Sequence, residues 1–208
     1  NEQGGILDDL MVARMGESLL LVINAACKDA DIAHLQDELA DCLVEVLEDR
    51  ALLALQGPEA EAALAKLAPA VRDMKFMDVR DVDVDGALCT ISRSGYTGED
   101  GFEISLPAMD ASRVARKLLE QPAVKLIGLG ARDSLRLEAG LCLYGSDIDE
   151  TTTPVEAALE WSIQKSRRRG GVREGGFPGA DVILAQLEEG CLLYTSDAAA
   201  DTPCVALG

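Results

Sequence analysis

The sequence has a single histidine, few aromatic residues and no long apolar run, and each shortage argues against a class of protein. His34 is the only imidazole among 208 residues, so a histidine-based catalytic triad and a multi-histidine metal site are both disfavoured. Aromatic residues make up 3% of the chain, so its core must be mainly aliphatic. The apolar run at 18–27 has about ten residues, well short of the roughly 20 that a membrane-spanning helix needs.

Paired cysteines and a phosphate-binding glycine motif are also absent. The six cysteines contain no CxxC pair, which argues against a zinc ribbon, a redox dithiol and a disulfide scaffold. We interpret them as buried or incidental thiols in a reducing compartment, and we expect no metal. Gly128-Leu129-Gly130 lacks the third glycine of the dinucleotide fingerprint, so nucleotide binding has little support.

Basic residues are scarce relative to acidic ones. Lys and Arg total 19 against 37 Asp and Glu, which gives a formal net charge of −18. A protein this acidic repels the phosphates that dominate nucleic-acid affinity. We therefore expect neither a nucleic acid nor a membrane as partner.

The order of predicted elements favours an α+β fold. A strand at 18–26 leads into a helix at 31–48, whose apolar residues are spaced three and four apart. A strand at 77–84 alternates apolar and charged residues, with a bulge expected at Arg80-Asp81. Two further strands, at 87–93 and 101–107, follow in succession, which is unlike a doubly wound parallel sheet. Further helices are predicted at 59–67, 109–120 and 130–139, with a short helix around Trp161.

Three charged residues stand out by position, and each has an ordinary structural alternative. Asp31 lies at the start of the first helix, where a carboxylate serves either as a helix cap or in a site. Glu103 lies mid-strand between apolar neighbours, so its side chain faces either solvent or a pocket. Arg132 is placed for helical ion pairs or for a ligand. Composition and periodicity alone therefore describe an acidic α+β domain.

The end of the chain reads differently from the rest. Residues 191–201 resemble the translated read-through of a transposase adapter used in sequencing libraries, and we interpret 191–208 as a non-native tail. The first residue is Asn1 rather than Met. We therefore expect a fragment, with residues 1–190 forming a partial domain.

Long strings in the sequence resemble one enzyme family. They are QGGILDD at 3–9, INAA at 23–26, GYTGEDGFEI at 95–104 and GARDSLRLEAG at 130–140. LCLYG, TTPVE and FPGA follow at 141–145, 152–156 and 177–180. In this order they resemble the aminomethyltransferases, or T proteins, of the glycine cleavage system, over essentially the whole chain before the tail.

The resemblance implies a fold and a reaction. The family has three domains around a central folate cavity, and this chain would be its middle portion, incomplete at both ends. The implied reaction moves a one-carbon unit from an aminomethyl group, carried on the lipoyl arm of the H protein, to tetrahydrofolate. Ammonia is released, and the compartment would be the cytoplasm of a bacterium or the mitochondrial matrix of a eukaryote.

The resemblance also implies roles for individual residues. Asp31 matches the catalytic carboxylate, which would orient and activate the folate amine. Glu103 matches a pterin-binding glutamate, since one carboxylate accepts the two parallel donors of the pterin edge. Arg132 matches a folate-contacting arginine, and Tyr96 is expected in the pocket wall. Asn24 is expected either to contact the ligand or to fix the loop before Asp31.

Tyr144 and Trp161 are expected either to contact the ligand or to pack in the core. Arg167, Arg168 and Arg169 are expected either to steer an acidic H protein or to form a solvated basic loop.

Related functions share the same folate-binding unit. Dimethylglycine and sarcosine oxidising enzymes, folate-dependent O-demethylases and a non-enzymatic iron–sulfur assembly factor are the alternatives. The residue sequences at 95–101 and 135–145 resemble the glycine cleavage enzyme more than these relatives.

Overall fold

The structure, a computed structural model, describes residues 1–190, which belong to two compact units. The first unit contains Asn1–Leu10, Ile23–Asp31 and the described chain from Leu137 onward. The second contains Met11–Val22 and Ile32–Arg136. The predicted tail at 191–208 lies outside the described residues.

Strands occur only in the second unit among the described residues, and they form two antiparallel sheets. The strands are β1 (Met11–Met15), β2 (Ser18–Val22), β3 (Arg50–Gln56), β4 (Val79–Val84), β5 (Ala87–Ser92) and β6 (Gly101–Pro107). β1 and β2 make a hairpin, and the other four lie in the order β3-β6-β5-β4. Mixed antiparallel strands and helices confirm the predicted α+β class.

Five α-helices connect or follow these strands in the described chain. They are α1 (Lys28–Glu38), α2 (Ala60–Leu64), α3 (Ala108–Leu119), α4 (Leu129–Glu138) and α5 (Ala180–Glu189). Single-turn 3₁₀ helices cover Pro69–Asp73, Glu160–Ser162 and Lys165–Arg167. None of the helices within residues 1–190 is long and apolar enough to cross a bilayer.

The four-stranded sheet has one buried face and one open face because its strands alternate. Along β6, Phe102, Ile104 and Leu106 are fully buried, whereas Glu103 and Ser105 are half-buried on the opposite face. The buried face packs against α2 and α3 in one aliphatic core. Polar residues thus remain on the other face, where a site can form.

The first helix is shorter than predicted. Periodicity placed it at 31–48, but α1 ends at Glu38, and Leu43 beyond it is 91% exposed. No basic residue lies in its last turn, and acidic residues there oppose the negative end of the helix dipole. The apolar spacing at 39–48 is therefore not sufficient to continue the helix beyond Glu38.

The structure also lacks one predicted strand feature and contains two elements that were not predicted. The pairing of β4 with β5 is continuous from Val79 to Val84, so no bulge interrupts it at Arg80-Asp81. β1 and α5 were not predicted. The sequence of β1, MVARM, has no period-two alternation.

Candidate functional site

A tight arrangement of carboxylates forms around Asn24 in the first unit. The Asn24 side-chain amide donates to Asp8 Oδ1 at 2.8 Å and to Asp9 Oδ1 at 2.6 Å. Its backbone N–H also donates to Asp8 Oδ2 at 3.2 Å. One asparagine side chain thus bonds to two adjacent carboxylates.

The two carboxylates have opposite electrostatic environments. Burial opposes ionisation of Asp8, but hydrogen bonds from Asn24 and neighbouring groups outweigh it and lower the pKa of Asp8. Burial raises the pKa of Asp9, and the adjacent Asp8 charge adds to that increase. The environment thus favours the charged form of Asp8 and disfavours the charged form of Asp9.

Asp31 and Cys27 complete this cluster. Asp31 is 9% exposed, and its carboxyl group shares a hydrogen bond with that of Asp8. Burial, a hydrogen bond to Asp8 and the nearby negative charges raise the pKa of the Cys27 thiol to about 11. The thiol therefore stays protonated near neutral pH and acts as a donor.

Tyr144 lies in the same unit, and Trp161 is on its surface. The Tyr144 hydroxyl donates to the Ile6 carbonyl at 3.3 Å. Burial and the negative charges of this region raise the pKa of Tyr144. Trp161, in a single 3₁₀ turn, is 75% exposed, so its indole is available at the surface rather than packed in the core.

Glu103 belongs to a separate cavity in the second unit. The open face of the four-stranded sheet and the β1-β2 hairpin enclose a volume of about 340 Å³. Glu103 lines it together with Ser92, Thr90 and Ser105 from neighbouring strand positions. The side chain thus faces a pocket rather than open solvent, one of the two orientations expected from alternation.

The loop at 94–100, which joins β5 to β6, is built around the side chain of Gln56. Gln56 Nε2 donates to the Ser94 carbonyl at 3.0 Å, and Thr97 Oγ1 donates to Gln56 Oε1 at 3.0 Å. A Cβ atom at Gly95 or at Gly101 would overlap this amide. Both glycines are therefore required by the close approach of Gln56.

Arg93 anchors the two ends of the same loop. Its guanidinium pairs with Asp100 at 2.6 Å and with Glu61 at 2.8 Å, and it lies 5.3 Å from the centre of the Phe102 ring. The hydrogen bonds to Asp100 are the main cause of a raised Arg93 pKa. The loop is thus held by charged contacts outside and by Gln56 inside.

Tyr96 and Arg132 lie together, apart from the Glu103 cavity. The Arg132 guanidinium carbon is 5.7 Å from the centre of the Tyr96 ring, a cation–π contact. Arg132 and Thr97 also line a second, more apolar groove of about 520 Å³. The structure therefore pairs Arg132 with Tyr96 rather than with Glu103.

The three adjacent arginines all have partners within the first unit. Arg167 donates to the Gly175 carbonyl at 3.0 Å, and Arg168 donates to the carbonyls of Ile163 and Glu160. Arg169 pairs with Glu174 at 2.8 Å. These side chains hold together the segment in which they lie.

Sequence reasoning missed Asp8 and Asp9 as members of the site. Both fall within the QGGILDD string. The available signal was a pair of adjacent acids with an Asn that follows 16 and 15 residues later, since Asn24 bonds to both. The sequence alone did not show that the antiparallel pairing of β1 with β2 brings Asn24 back beside Asp8 and Asp9.

Comparison with known proteins decides the family. Residues 1–167 match the family model described as the GCVT N-terminal domain. The chain belongs to the GCVT N-terminal domain family. Its predicted resemblance to the glycine cleavage T proteins is thereby confirmed.

Curated relatives of this GCVT domain are named aminomethyltransferases. The mitochondrial aminomethyltransferase of Canis lupus familiaris is 54% identical over 90% of this chain and 48% of its own length. That of Solanum tuberosum is 49% identical over 91% of this chain and 48% of its own length. The chain thus spans about half the length of the curated relatives it matches.

A solved relative has the same fold. The glycine cleavage system aminomethyltransferase T from Bartonella henselae aligns with a TM-score of 0.80 and 46% identity, covering 91% of this chain and 51% of that one. The predicted aminomethyltransferase fold is confirmed by this match.

Proposed function

We propose that this chain is the folate-binding part of a tetrahydrofolate-dependent aminomethyltransferase of the glycine cleavage system. The names of its relatives support that reaction class. The observation that carries the proposal is Glu103, half-buried where it lines a cavity of about 340 Å³ between the open sheet face and the hairpin. Ligand pockets range over roughly 300–1,000 Å³, so the volume suits a bicyclic ring.

Glu103 has the chemistry to recognise the pterin ring. The ring edge presents an amino group beside a ring N–H, and a carboxylate accepts both as a fork. Met11 and Leu20 of the hairpin also line this cavity, and their apolar side chains fit the faces of a flat ring. We propose that Glu103 supplies polarity at the edge while the hairpin supplies apolar contact.

The acid–base step is proposed for the cluster around Asn24. Asp31 remains our predicted catalytic carboxylate, buried beside Asp8. Asp9 is proposed as a second acid–base group, because burial and the adjacent Asp8 charge raise its pKa. Asn24 is proposed to orient Asp8 and Asp9, and Tyr144 to close the cluster from the side of Ile6.

Arg132, Tyr96 and Trp161 are proposed to make further contacts. Arg132, stacked on Tyr96, is suited to an anionic or carbonyl group of the folate, and Tyr96 fixes its guanidinium. The exposed indole of Trp161 is suited to a contact at the surface.

The proposed partners are tetrahydrofolate as one-carbon acceptor and the lipoylated H protein as donor. Transfer would produce methylenetetrahydrofolate, ammonia and the dihydrolipoyl H protein. Its compartment would be the mitochondrial matrix in a eukaryote and the cytoplasm in a bacterium.

Calorimetric titration with tetrahydrofolate tests the proposed pocket. We expect the unaltered chain to bind, and Glu103→Ala to weaken binding by about 10- to 100-fold, since hydrogen bonds to a charged group contribute roughly 1.5–3 kcal/mol. Ser112→Ala, on the exposed side of α3, is the control and should bind like the unaltered chain. Absence of binding by the unaltered chain would refute the folate proposal.

A further inference from the structure

We propose that Ser94 is a positioning residue that sets the orientation of the Glu103 carboxylate for a ligand with two parallel N–H donors. This inference rests on the proposed function, because it assigns the way in which the same pocket recognises the pterin edge. It concerns a serine in the loop after β5 rather than a residue of the strand that carries Glu103.

A polarised chain of hydroxyl groups leads to the carboxylate. Ser94 Oγ donates to Glu103 Oε2 at 3.1 Å. Ser94 Oγ is also in hydrogen-bond contact with Ser92 Oγ. A hydroxyl has one proton, so when Ser94 donates to Glu103, its oxygen must accept from Ser92. The carboxylate thus fixes the direction of both hydroxyl groups.

The position of Ser94 itself is set by the backbone. Ser94 is 7% exposed, and its carbonyl accepts the hydrogen bond from Gln56 Nε2 at 3.0 Å. Gln56 is held in turn by Thr97 and by the close approach of two glycines. The donor that reaches Glu103 is therefore immobilised before any ligand arrives, which is the condition for preorganised recognition.

The remaining acceptor capacity of Glu103 matches a forked donor. An ionised carboxylate has about four lone-pair sites, and Ser94 uses one of them on Oε2. One site on Oε2 and those on Oε1 remain for the ligand. Because Ser94 holds the rotation of the group, both oxygens are presented together, and a ligand with two donors gains more from this arrangement than a ligand with one.

The test compares two ligands in the same variants. Tetrahydrofolate carries both donors, and its analogue with hydrogen in place of the 2-amino group carries only the ring N–H. Calorimetry with the full chain measures both dissociation constants. The ratio compared between variants is the dissociation constant of the analogue divided by that of tetrahydrofolate. We expect Ser94→Ala to lower this ratio about fivefold, as loss of roughly 1 kcal/mol implies, whereas Ser94→Thr retains it.

Two further variants separate positioning from loss of structure. General loosening of the loop would weaken both ligands equally and leave the ratio unchanged. Ser92→Ala removes the donor to Ser94 without removing the donor to Glu103, so it should lower the ratio by a smaller factor. Ser112→Ala should give the ratio of the unaltered chain.

The possible outcomes are distinct. A lowered ratio in Ser94→Ala, kept in Ser94→Thr, supports the inference. An unchanged ratio in both Ser94→Ala and Ser92→Ala, with tetrahydrofolate still bound by the unaltered chain, overturns it and leaves the proposed function standing. Failure of the unaltered chain to bind either ligand overturns the proposed function and this inference together.

Discussion

At the scale of single residues, the informative contrast is between Asp8 and Asp9. They are neighbours in the chain and share one asparagine, yet the pKa of Asp8 is lowered and that of Asp9 is raised. Several hydrogen bonds to Asp8 lower its pKa, whereas desolvation and the charge of Asp8 raise the pKa of Asp9. The two adjacent carboxyl groups therefore differ in how readily each loses its proton.

Substitution of these carboxylates should separate binding from turnover. We expect Asp31→Asn and Asp9→Asn each to leave tetrahydrofolate affinity nearly normal and to lower turnover by about 100-fold or more, a typical acid–base contribution. Turnover is measured in a chimera in which residues 1–190 replace the matching part of the Bartonella henselae protein. A loss confined to one variant would assign proton transfer to that residue.

The pH dependence of turnover gives the control for Asp9. As a proton acceptor it must be ionised, so turnover should be present above its raised pKa and fall as pH falls through that value. Asp9→Asn should remove this acidic decline. Turnover within a few-fold of the unaltered chimera in both variants would reject the acid–base proposal for this cluster.

At the scale of elements, the loop at 94–100 takes its shape from a side chain of β3. Gln56 occupies the space beside Gly95 and Gly101 and bonds to the loop on both of its amide atoms. The loop and the end of the strand are therefore one structural unit.

The overlap predicts a non-additive pair of substitutions. Gly95→Ala should lower the free energy of unfolding by about 1–3 kcal/mol, because overpacking displaces Gln56. In a Gln56→Ala background the same change should cost less, since the amide is gone. Chemical denaturation of the unaltered chain, the two single variants and the double variant measures the coupling. Additive losses would contradict the steric explanation.

The arginines of the 160–176 segment make a second prediction at this scale. Arg168→Ala should lower the melting temperature, because two main-chain carbonyls lose their donor. Arg169→Ala should change it little, since its ion pairs are solvent-exposed. Differential scanning fluorimetry of both variants measures the difference.

A triple variant of Arg167, Arg168 and Arg169 tests docking of the H protein. If the basic residues steer the partner, neutralising all three should raise the apparent KM for H protein in the chimera, and added salt should diminish the difference. An unchanged KM would leave these arginines with their structural contacts alone.

Sequence reasoning predicted the elements best where packing agrees with local pattern. β6 begins and ends as expected because Phe102, Ile104 and Leu106 enter the core in strict alternation. The first helix was overextended because spacing shows which residues share a face and not whether another element covers that face. Leu43 has the right spacing and remains exposed.

At the scale of the whole molecule, excess negative charge is the dominant feature. With 37 acidic and 19 basic residues, like charges repel throughout the folded chain. Raising sodium chloride from about 20 to about 200 mM shortens the screening length, so we expect the melting temperature to rise by about 2–4 °C, corresponding to roughly 1 kcal/mol. Sucrose at equal osmolality is the control, and a fall in melting temperature with salt would show that attractive ion pairs prevail.

The site was predicted only in part, because its members come from distant strings. Alternation left the Glu103 side chain facing either solvent or a pocket, and in the structure it lines the cavity beside the hairpin. Ser94 and Gln56 gave no signal, since an ordinary serine and glutamine acquire meaning only when the fold brings them together. Asp8 and Asp9 were not predicted, because they join the cluster only through their hydrogen bonds with the distant Asn24.

The protonated thiol of Cys27 has a practical consequence for handling the protein. With its pKa at about 11, roughly one molecule in ten thousand carries the reactive thiolate at pH 7. Cys42 is exposed, and Cys89 is buried in the core. Among these three thiols, a maleimide dye at neutral pH should therefore attach first to Cys42, leaving the carboxylate cluster unmodified and available for fluorescence titration.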